Sequence, residues 1–237
     1  MLARACFIGL VSLALLAPPV AAQQTPPPPG QDRVVAVKMS LQASMAALRQ
    51  YEWIETTVVS LKGEEKSSKE NRCYYGADGK VQKVPVASAP ESDGKKPRGL
   101  RGKVVENKKE DMSESMKEAI ALVKEYVPPQ PERIQAAKDA GRVTVSPPDA
   151  QGKVRMVIND YLKAGDSLAI DLDAASNHLA GLTVASYTDK EKHGVGLKVG
   201  FQALADGTMY AASIALDVKE EDLTVAIKNS GYRKASS

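Results

Sequence analysis

The stretch GVGLKVGFQALADGT, residues 194–208, alternates apolar side chains with glycine or polar residues. An alternation with a period of two is typical of a strand that buries one face. Glycine weakens the interior of a strand, so Gly196 and Gly200 on the other face need a physical reason. We expect them to let the strand bend, with the apolar side concave, although a closely packed helix or a tolerant exposed face would also explain them. The apolar side carries Val195, Leu197, Val199 and Phe201.

Similar segments surround this stretch from Gly141 onwards, and the turns between them are rich in Gly, Asp, Asn and Lys. No helical pattern separates these segments, so the strands are expected to pair antiparallel, each with the next along the chain. The segments are RVTV, KVRMVINDYL, SLAIDLD, LAGLTVASY, MYAASIALDV and LTVAIKN.

Three more strands are predicted near the N-terminus, in YEWIETTVVSL, KSSKENRCYY and KVQKVPV. Their β-branched and aromatic residues favour strands, and Pro85 indicates that the third lies at a sheet edge. Helical spacing predicts a first helix from Asp32 to about Gln50, and a third in PERIQAAKDA that Gly141 terminates. The second helix carries a stripe of Met112, Met116, Ile120, Val123 and Val127.

These elements predict an α+β domain: a curved, half-barrel-like antiparallel sheet of about ten strands packed against two or three helices. Their order resembles that of the envelope lipoprotein-carrier family. In that family a curved half-barrel covered by helices encloses acyl chains, so the resemblance implies a cavity and an apolar ligand. In that family, the inserted helices follow a longer first run of strands than the three predicted here. No stretch matches a specific family motif, and no functional residue is transferred.

The N-terminus indicates export. Residues 1–22 contain Arg4, a short apolar run and small residues before Ala22, which is typical of a signal peptide cleaved after Ala22. Residues 23–31 form a proline-rich spacer, and residues 32–237 are predicted to be one domain. We expect a periplasmic or secreted protein in which Cys73 is the only cysteine. Burial as a small apolar side chain is the favoured role for Cys73, and an interchain disulfide or a nucleophile are the alternatives.

The composition argues against several functions. A net charge of +3 and an aromatic content of 5% do not favour nucleic-acid binding. With two histidines, the sequence shows no zinc spacing and no Ser-His-Asp order. Asp171, Asp173, Asn177 and His178 could hold a cation, but a capped turn is the simpler interpretation. We therefore expect no cofactor, no metal and no enzymatic activity, with a carboxylate hydrolase as the remaining catalytic alternative.

The favoured function is an exported, non-enzymatic carrier-like protein for an apolar ligand, such as a lipid, an acyl chain or a lipidated protein. The alternative is an envelope structural or protein-interaction domain without a small-molecule ligand. A basic segment could contact an anionic membrane surface or a partner, although a solvated linker is the simpler interpretation. It contains Lys95, Lys96, Arg98, Arg101 and Lys103. The predicted ligand-binding residues are Val195, Leu197, Val199, Phe201, Met112, Met116, Ile120 and Trp53.

Overall fold

A computed structural model describes residues 31–86, 114–176, 178–188 and 193–235 of the chain. Helix α1 spans Gln31–Leu48, α2 is helical over residues 114–123, and α3 spans Pro131–Asp139. A 3₁₀ turn covers Lys219–Glu221. Within the described ranges, no helix has both the length and the hydropathy needed to cross a membrane.

Ten strands form one antiparallel sheet. The bounds are β1 Tyr51–Leu61, β2 Glu64–Tyr75, β3 Val81–Pro85, β4 Val143–Val145, β5 Lys153–Asn159, β6 Ser167–Asp173, β7 Leu179–Tyr187, β8 Gly194–Ala203, β9 Met209–Val218 and β10 Leu223–Lys234. The spatial order is β3-β2-β1-β10-β9-β8-β7-β6-β5-β4. The predicted α+β class is confirmed, β4 to β10 follow one another as expected, and Pro85 ends the edge strand β3.

Irregular pairing interrupts the sheet at several places. Between β1 and β10 the register shifts at Glu52/Ile54, where β10 carries an extra residue and Gly231 has a φ of 62°. Between β8 and β9 the shift falls between Gly200 and Phe201. Because bulges of this kind bend a strand and increase its twist, they account for the curvature of the sheet.

The helices pack on one side of the sheet, which we call the inner face. This face carries the alternate residues of β8 that include Val195 and Leu197, which are 1% and 5% exposed. Burying two such side chains contributes about 3–6 kcal/mol before entropy. Ala119, Val123 and Ala137 complete the core from the helical side.

Two helical details differ from the expectation. The apolar stripe predicted for α2 included Ile120 and Val127, yet these are 37% and 40% exposed. The helix ends at 123, and the turn that follows directs Tyr126 into the core instead. In α1, the helical spacing of Val34, Val37, Leu41, Met45 and Leu48 predicts one buried stripe. Met45 is nevertheless 68% exposed, whereas Ser44 is buried and Leu41 packs against the core.

Gly196 and Gly200 also differ from each other. A Cβ atom at Gly200 would lie 2.7 Å from the Oγ of Ser213 on β9, whereas one at Gly196 would lie 3.9 Å from its nearest neighbour, Asp217. Of the two, only Gly200, next to the bulge, lies where an added side chain would force a neighbour, Ser213, to move.

Candidate functional site

One end of the inner face is filled by Tyr126, whose side chain is fully buried. The Tyr126 hydroxyl donates a hydrogen bond to Oδ2 of Asp166 at 2.5 Å and lies 2.8 Å from Oγ of Ser186. Burial, together with the bond to Asp166, raises the pKa of Tyr126, so the hydroxyl remains a donor. Tyr126 belongs to a core cluster that also contains the fully buried side chains of Ile158, Leu168, Val184, Val195, Val218 and Leu223. We call this region the filled end.

Beyond the filled end, apolar side chains on the inner face are only partly buried. Val59 pairs with Val225, and Val199 pairs with Ile214, so these side chains are cross-strand neighbours. Phe201 continues the set along β8. All are partly buried and pack against the edge of the core. We call Val59, Val199, Phe201, Ile214 and Val225 the apolar row.

Aromatic side chains cluster on the same face where β1, β2 and β10 meet. Trp53 stacks on Tyr232 with ring centroids 5.5 Å apart and planes 9° apart. Tyr75 lies 5.7 Å from Trp53, and Tyr210 lies 4.4 Å from Tyr232. Burial raises the pKa of Tyr232. We call these residues, with Tyr51, the aromatic cluster. Because the rings contact one another, the cluster forms a firm wall at this end of the face.

Polar groups accompany the aromatic cluster. Glu55 is 8% exposed, and Nζ of Lys83 donates to both of its carboxylate oxygens, at 2.6 and 2.8 Å. Cys73 is fully buried beside them, and burial raises the pKa of its thiol. A buried thiol of raised pKa is a poor nucleophile, which fits the structural role favoured from the sequence.

The surface of the described chain has cavities of several hundred Å³, of which two are described by their lining. The larger, of about 600 Å³, lies between α2 and the turn before β6, and its lining includes Glu118, Glu125 and Lys163. The smaller, of about 440 Å³, lies at the end of the sheet where the aromatic cluster sits. We call the smaller one the rim cavity. Its lining residues are Arg49, Tyr51, Glu52, Arg72, Tyr74, Tyr75, Arg233 and Ala235.

The carboxylates considered for a cation have other partners. Asp171 forms two hydrogen bonds with the guanidinium of Arg155, at 2.7 and 2.8 Å. Asp173 accepts hydrogen bonds from the backbone of Ala175 and Ser176, which lower its pKa and cap the turn. Within the described ranges, no three His, Cys, Asp or Glu side chains are grouped so that they could hold a metal ion.

Three solved structures resemble most of the chain at low scores. A LolA superfamily protein from Nitrosomonas europaea matches 85% of this chain and 94% of its own, with a TM-score of 0.37 and 5% identity. A DUF1329 family protein from Desulfovibrio piger matches 85% of this chain and 94% of its own, with a TM-score of 0.33 and 10% identity. A domain assigned to outer membrane lipoprotein sorting, from Vibrio parahaemolyticus, matches 88% of this chain and 91% of its own. Its TM-score is 0.35 and its identity is 10%.

The resemblance expected from the order of elements is therefore found among solved structures. At these scores and identities the likeness concerns the arrangement of elements and carries nothing about activity or ligand. No protein-family model matches the chain, and no curated protein matches it.

The predicted ligand-binding residues occupy different environments. Val195 and Leu197 are core residues, whereas Val199 and Phe201 belong to the apolar row. Met116 on α2 is partly buried, and Ile120 on the same helix is exposed. Trp53 lies on the inner face, packed between Tyr75 and Tyr232. Residues outside the described ranges are Met112, Lys95, Lys96, Arg98, Arg101 and Lys103.

Several residues of the inner face escaped the sequence analysis. Ile214, Val225 and Val59 lie on strands with the same alternation as β8, so that pattern could have identified them. Tyr126 follows Val123 by three residues and could have been placed on the inner stripe of the second helix. The aromatic cluster had a weaker signal, namely aromatic residues near the ends of three predicted strands, in pairs on two of them.

Proposed function

We propose that this chain is an exported, non-enzymatic protein that binds an apolar ligand, such as an acyl chain, on the apolar row. The observation that supports it is the partial exposure of Val199, Ile214 and Val225 on a face that is otherwise packed beneath helices. Apolar side chains in contact with water on a recessed face favour the binding of apolar matter.

The filled end limits where the ligand lies. Tyr126 and its neighbours occupy the inner face under α2. The ligand therefore extends across β8, β9, β10 and β1, toward the aromatic cluster. Each methylene that leaves water contributes about 0.8 kcal/mol, so longer acyl chains bind more tightly until the row is covered.

The positions of the histidine, cysteine and glutamate side chains on the described residues support binding rather than catalysis. His178 and His193 lie next to turns at the starts of β7 and β8, and Cys73 is buried. Glu118 and Glu125 share the larger cavity, but neither histidine nor the cysteine lines it. The N-terminal signal-like segment supports export to the periplasm or beyond, where acyl chains and lipidated proteins need carriers.

The proposal is tested by purifying the protein, extracting it with organic solvent and identifying bound lipids by mass spectrometry. In parallel, the delipidated protein is titrated with the apolar fluorophore N-phenyl-1-naphthylamine. We expect saturable binding that Ile214→Asn weakens about tenfold, because a polar amide then interrupts the apolar row.

Val84→Asn is the matched control. Val84 on β3 is also exposed and apolar, but it lies on the opposite face of the sheet. We expect this variant to bind the fluorophore like the unchanged protein. An extract without lipid together with no saturable fluorophore binding would overturn the proposal, as would equal weakening by the two substitutions.

A further inference from the structure

The inner face becomes polar where β1 and β10 continue beyond the apolar row. Val59 pairs with Val225, and four residues earlier on β1 Glu55 pairs with Asn229. Trp53 lies two residues before Glu55 on the same strand. Alternate residues of a strand share a face, and so do directly opposed residues of an antiparallel pair, so all five side chains lie on the inner face. An apolar chain that lies along the apolar row therefore points toward polar groups.

Two buried polar atoms in this part of the inner face have no hydrogen-bond partner among the described residues. They are Nε1 of Trp53, which is a donor, and Oδ1 of Asn229, which is an acceptor. Trp53 is 8% exposed. The amide nitrogen of Asn229 donates to the backbone carbonyl of Ala211 on β9 at 2.8 Å, which orients the amide and leaves its oxygen unpaired. Because a buried polar group without a partner is costly, each atom favours a ligand that supplies one.

The two unpaired atoms belong to neighbouring side chains. Asn229 is directly opposite Glu55, and Trp53 is the next residue of β1 on the same face, so Trp53 and Asn229 are diagonal neighbours across the two strands. Diagonal neighbours lie about 7–8 Å apart, which is within the reach of aromatic and long side chains. A hydrogen bond spans about 2.9 Å, so a small group with a donor and an acceptor suits the space between them.

The charges beside these atoms are balanced. Glu55 is buried, and both of its carboxylate oxygens accept hydrogen bonds from Nζ of Lys83, at 2.6 and 2.8 Å. A further charge at this place would have no counterion, since a carboxylate head would be repelled by Glu55 and an ammonium head by Lys83. An uncharged head group therefore suits this part of the inner face.

The approach from the apolar row is partly exposed. Thr57 pairs with Ile227 between the row and the polar atoms, and both are partly exposed, while Lys83 is half-exposed. We infer that Trp53 and Asn229 bind the head of the apolar ligand, and that this head is an uncharged group with one acceptor and one donor, such as a secondary amide. The amide oxygen accepts from Trp53, and the amide N–H donates to Asn229. This inference rests on the proposed function and narrows its ligand.

The test compares three ligands with the same decanoyl chain, namely N-methyldecanamide, methyl decanoate and decanoate, each kept below its aggregation concentration. The amide has a donor and an acceptor, the ester has acceptors only, and decanoate is charged. Displacement of N-phenyl-1-naphthylamine measures the affinities, and calorimetry supplies an independent readout. We expect the amide to bind about tenfold more tightly than the ester, although the ester is more apolar, because only the amide supplies a partner for Oδ1 of Asn229.

Two substitutions separate the two hydrogen bonds. Trp53→Phe keeps an aromatic ring beside Tyr232 and removes the N–H, so the amide and the ester should each lose about tenfold in affinity. Asn229→Leu removes the acceptor, so the amide should lose about tenfold and the ester nothing. Asn71→Leu is the matched control and should change neither affinity, because Asn71 pairs with Glu55 from β2 and has no buried unpaired atom. If Asn229→Leu does not fold, the ligand series with the unchanged protein and Trp53→Phe decides the question.

Each alternative result has a distinct meaning. An ester that binds as tightly as the amide would overturn the inference about the head group and leave the proposed function standing. Tightest binding of decanoate would also overturn it, and would assign the head to the ammonium of Lys83. A preference for the amide that persists in Asn229→Leu, or that Asn71→Leu abolishes equally, would remove Asn229 from the site and overturn the inference. Binding of none of the three ligands and none of the fluorophore would overturn the proposed function itself.

Discussion

Under α2, Tyr126 and its fully buried neighbours fill the inner face, whereas from β8 to β1 the side chains of the apolar row remain partly exposed. Both regions belong to the same strands and show the same alternation. The difference comes from the covering helix, because α2 and the turn after it supply an aromatic ring to the first region only. An apolar pattern on a strand therefore specifies the inner face, and a residue elsewhere decides whether that face is closed.

The largest test of this comparison removes the side chain that fills the inner face. We expect Tyr126→Ala to lower the free energy of unfolding by about 3–5 kcal/mol, because it leaves a cavity and deprives Asp166 of a donor. Val127→Ala, at the exposed neighbouring position, should cost less than about 1 kcal/mol. Urea unfolding measures both variants. If both variants lowered the free energy of unfolding by a similar, small amount, Tyr126 would not be the residue that closes the filled end.

Strand β9 contains residues of both regions and offers a sharper comparison between them. Leu216 is buried, and Ile214, two residues away on the same face, belongs to the apolar row. We expect Leu216→Ala to cost about 2–5 kcal/mol and Ile214→Ala about half as much, since a partly exposed side chain has less burial to lose. Urea unfolding of the two variants gives the ratio. Equal losses would mean that the apolar row is as closed as the filled end.

The two glycines of β8 allow a smaller test. Gly200→Ala should destabilise the protein by about 1 kcal/mol, because the new Cβ forces Ser213 to turn away. Gly196→Ala should be neutral or slightly stabilising, because space is open there and alanine restricts the unfolded chain. Thermal unfolding measures both. Adding Ser213→Ala should recover the loss at Gly200, and a failure to recover it would place the strain in the backbone.

The smallest effect concerns pH. Tyr51, with help from Thr208, lowers the pKa of Asp206 to about 2 by hydrogen bonding. The folded pKa lies below the unfolded value of about 3.9, so this contribution is complete above pH 4 and is lost as the pH falls toward 2. We expect the stability gap between the unchanged protein and Asp206→Asn to narrow over that window, as urea unfolding at each pH would show.

Asp139→Asn is the control for the pH experiment, because Asp139 is exposed on α3 and, among the described residues, its side chain bonds only to Gln135 of the same helix. Its stability should run parallel to that of the unchanged protein between pH 4 and pH 2. A gap that stays constant for Asp206→Asn would show that the bond from Tyr51 does not stabilise the charged carboxylate.

Local patterns in the sequence predicted the strands well, because the alternation of β8 and its neighbours reflects a face that tertiary structure buries. The strength of each pattern did not predict exposure. Val195 and Val199 are equivalent in the sequence, yet one is in the core and the other in the apolar row. The difference in their burial depends on contacts with other parts of the chain, which a local pattern does not contain.

The parts of the candidate sites that join distant segments were beyond the sequence analysis. Arg49, Arg72 and Arg233 come together only because β1 pairs with both β2 and β10. The need for glycine at position 200 likewise depends on Ser213 in the partner strand. Charges and small residues have no periodicity of their own, so such groupings emerge only from the pairing of strands.

The strand order has a consequence for how the molecule forms. β1 lies between β2 and β10, so the first long strand of the chain finds one of its two neighbours in the last one. When the chain is synthesised from its N-terminus, the pairing of β1 with β10 cannot form until nearly every residue is available. Such distant pairing slows folding. Until β10 is available, the edge of β1 that pairs with it stays without a neighbour.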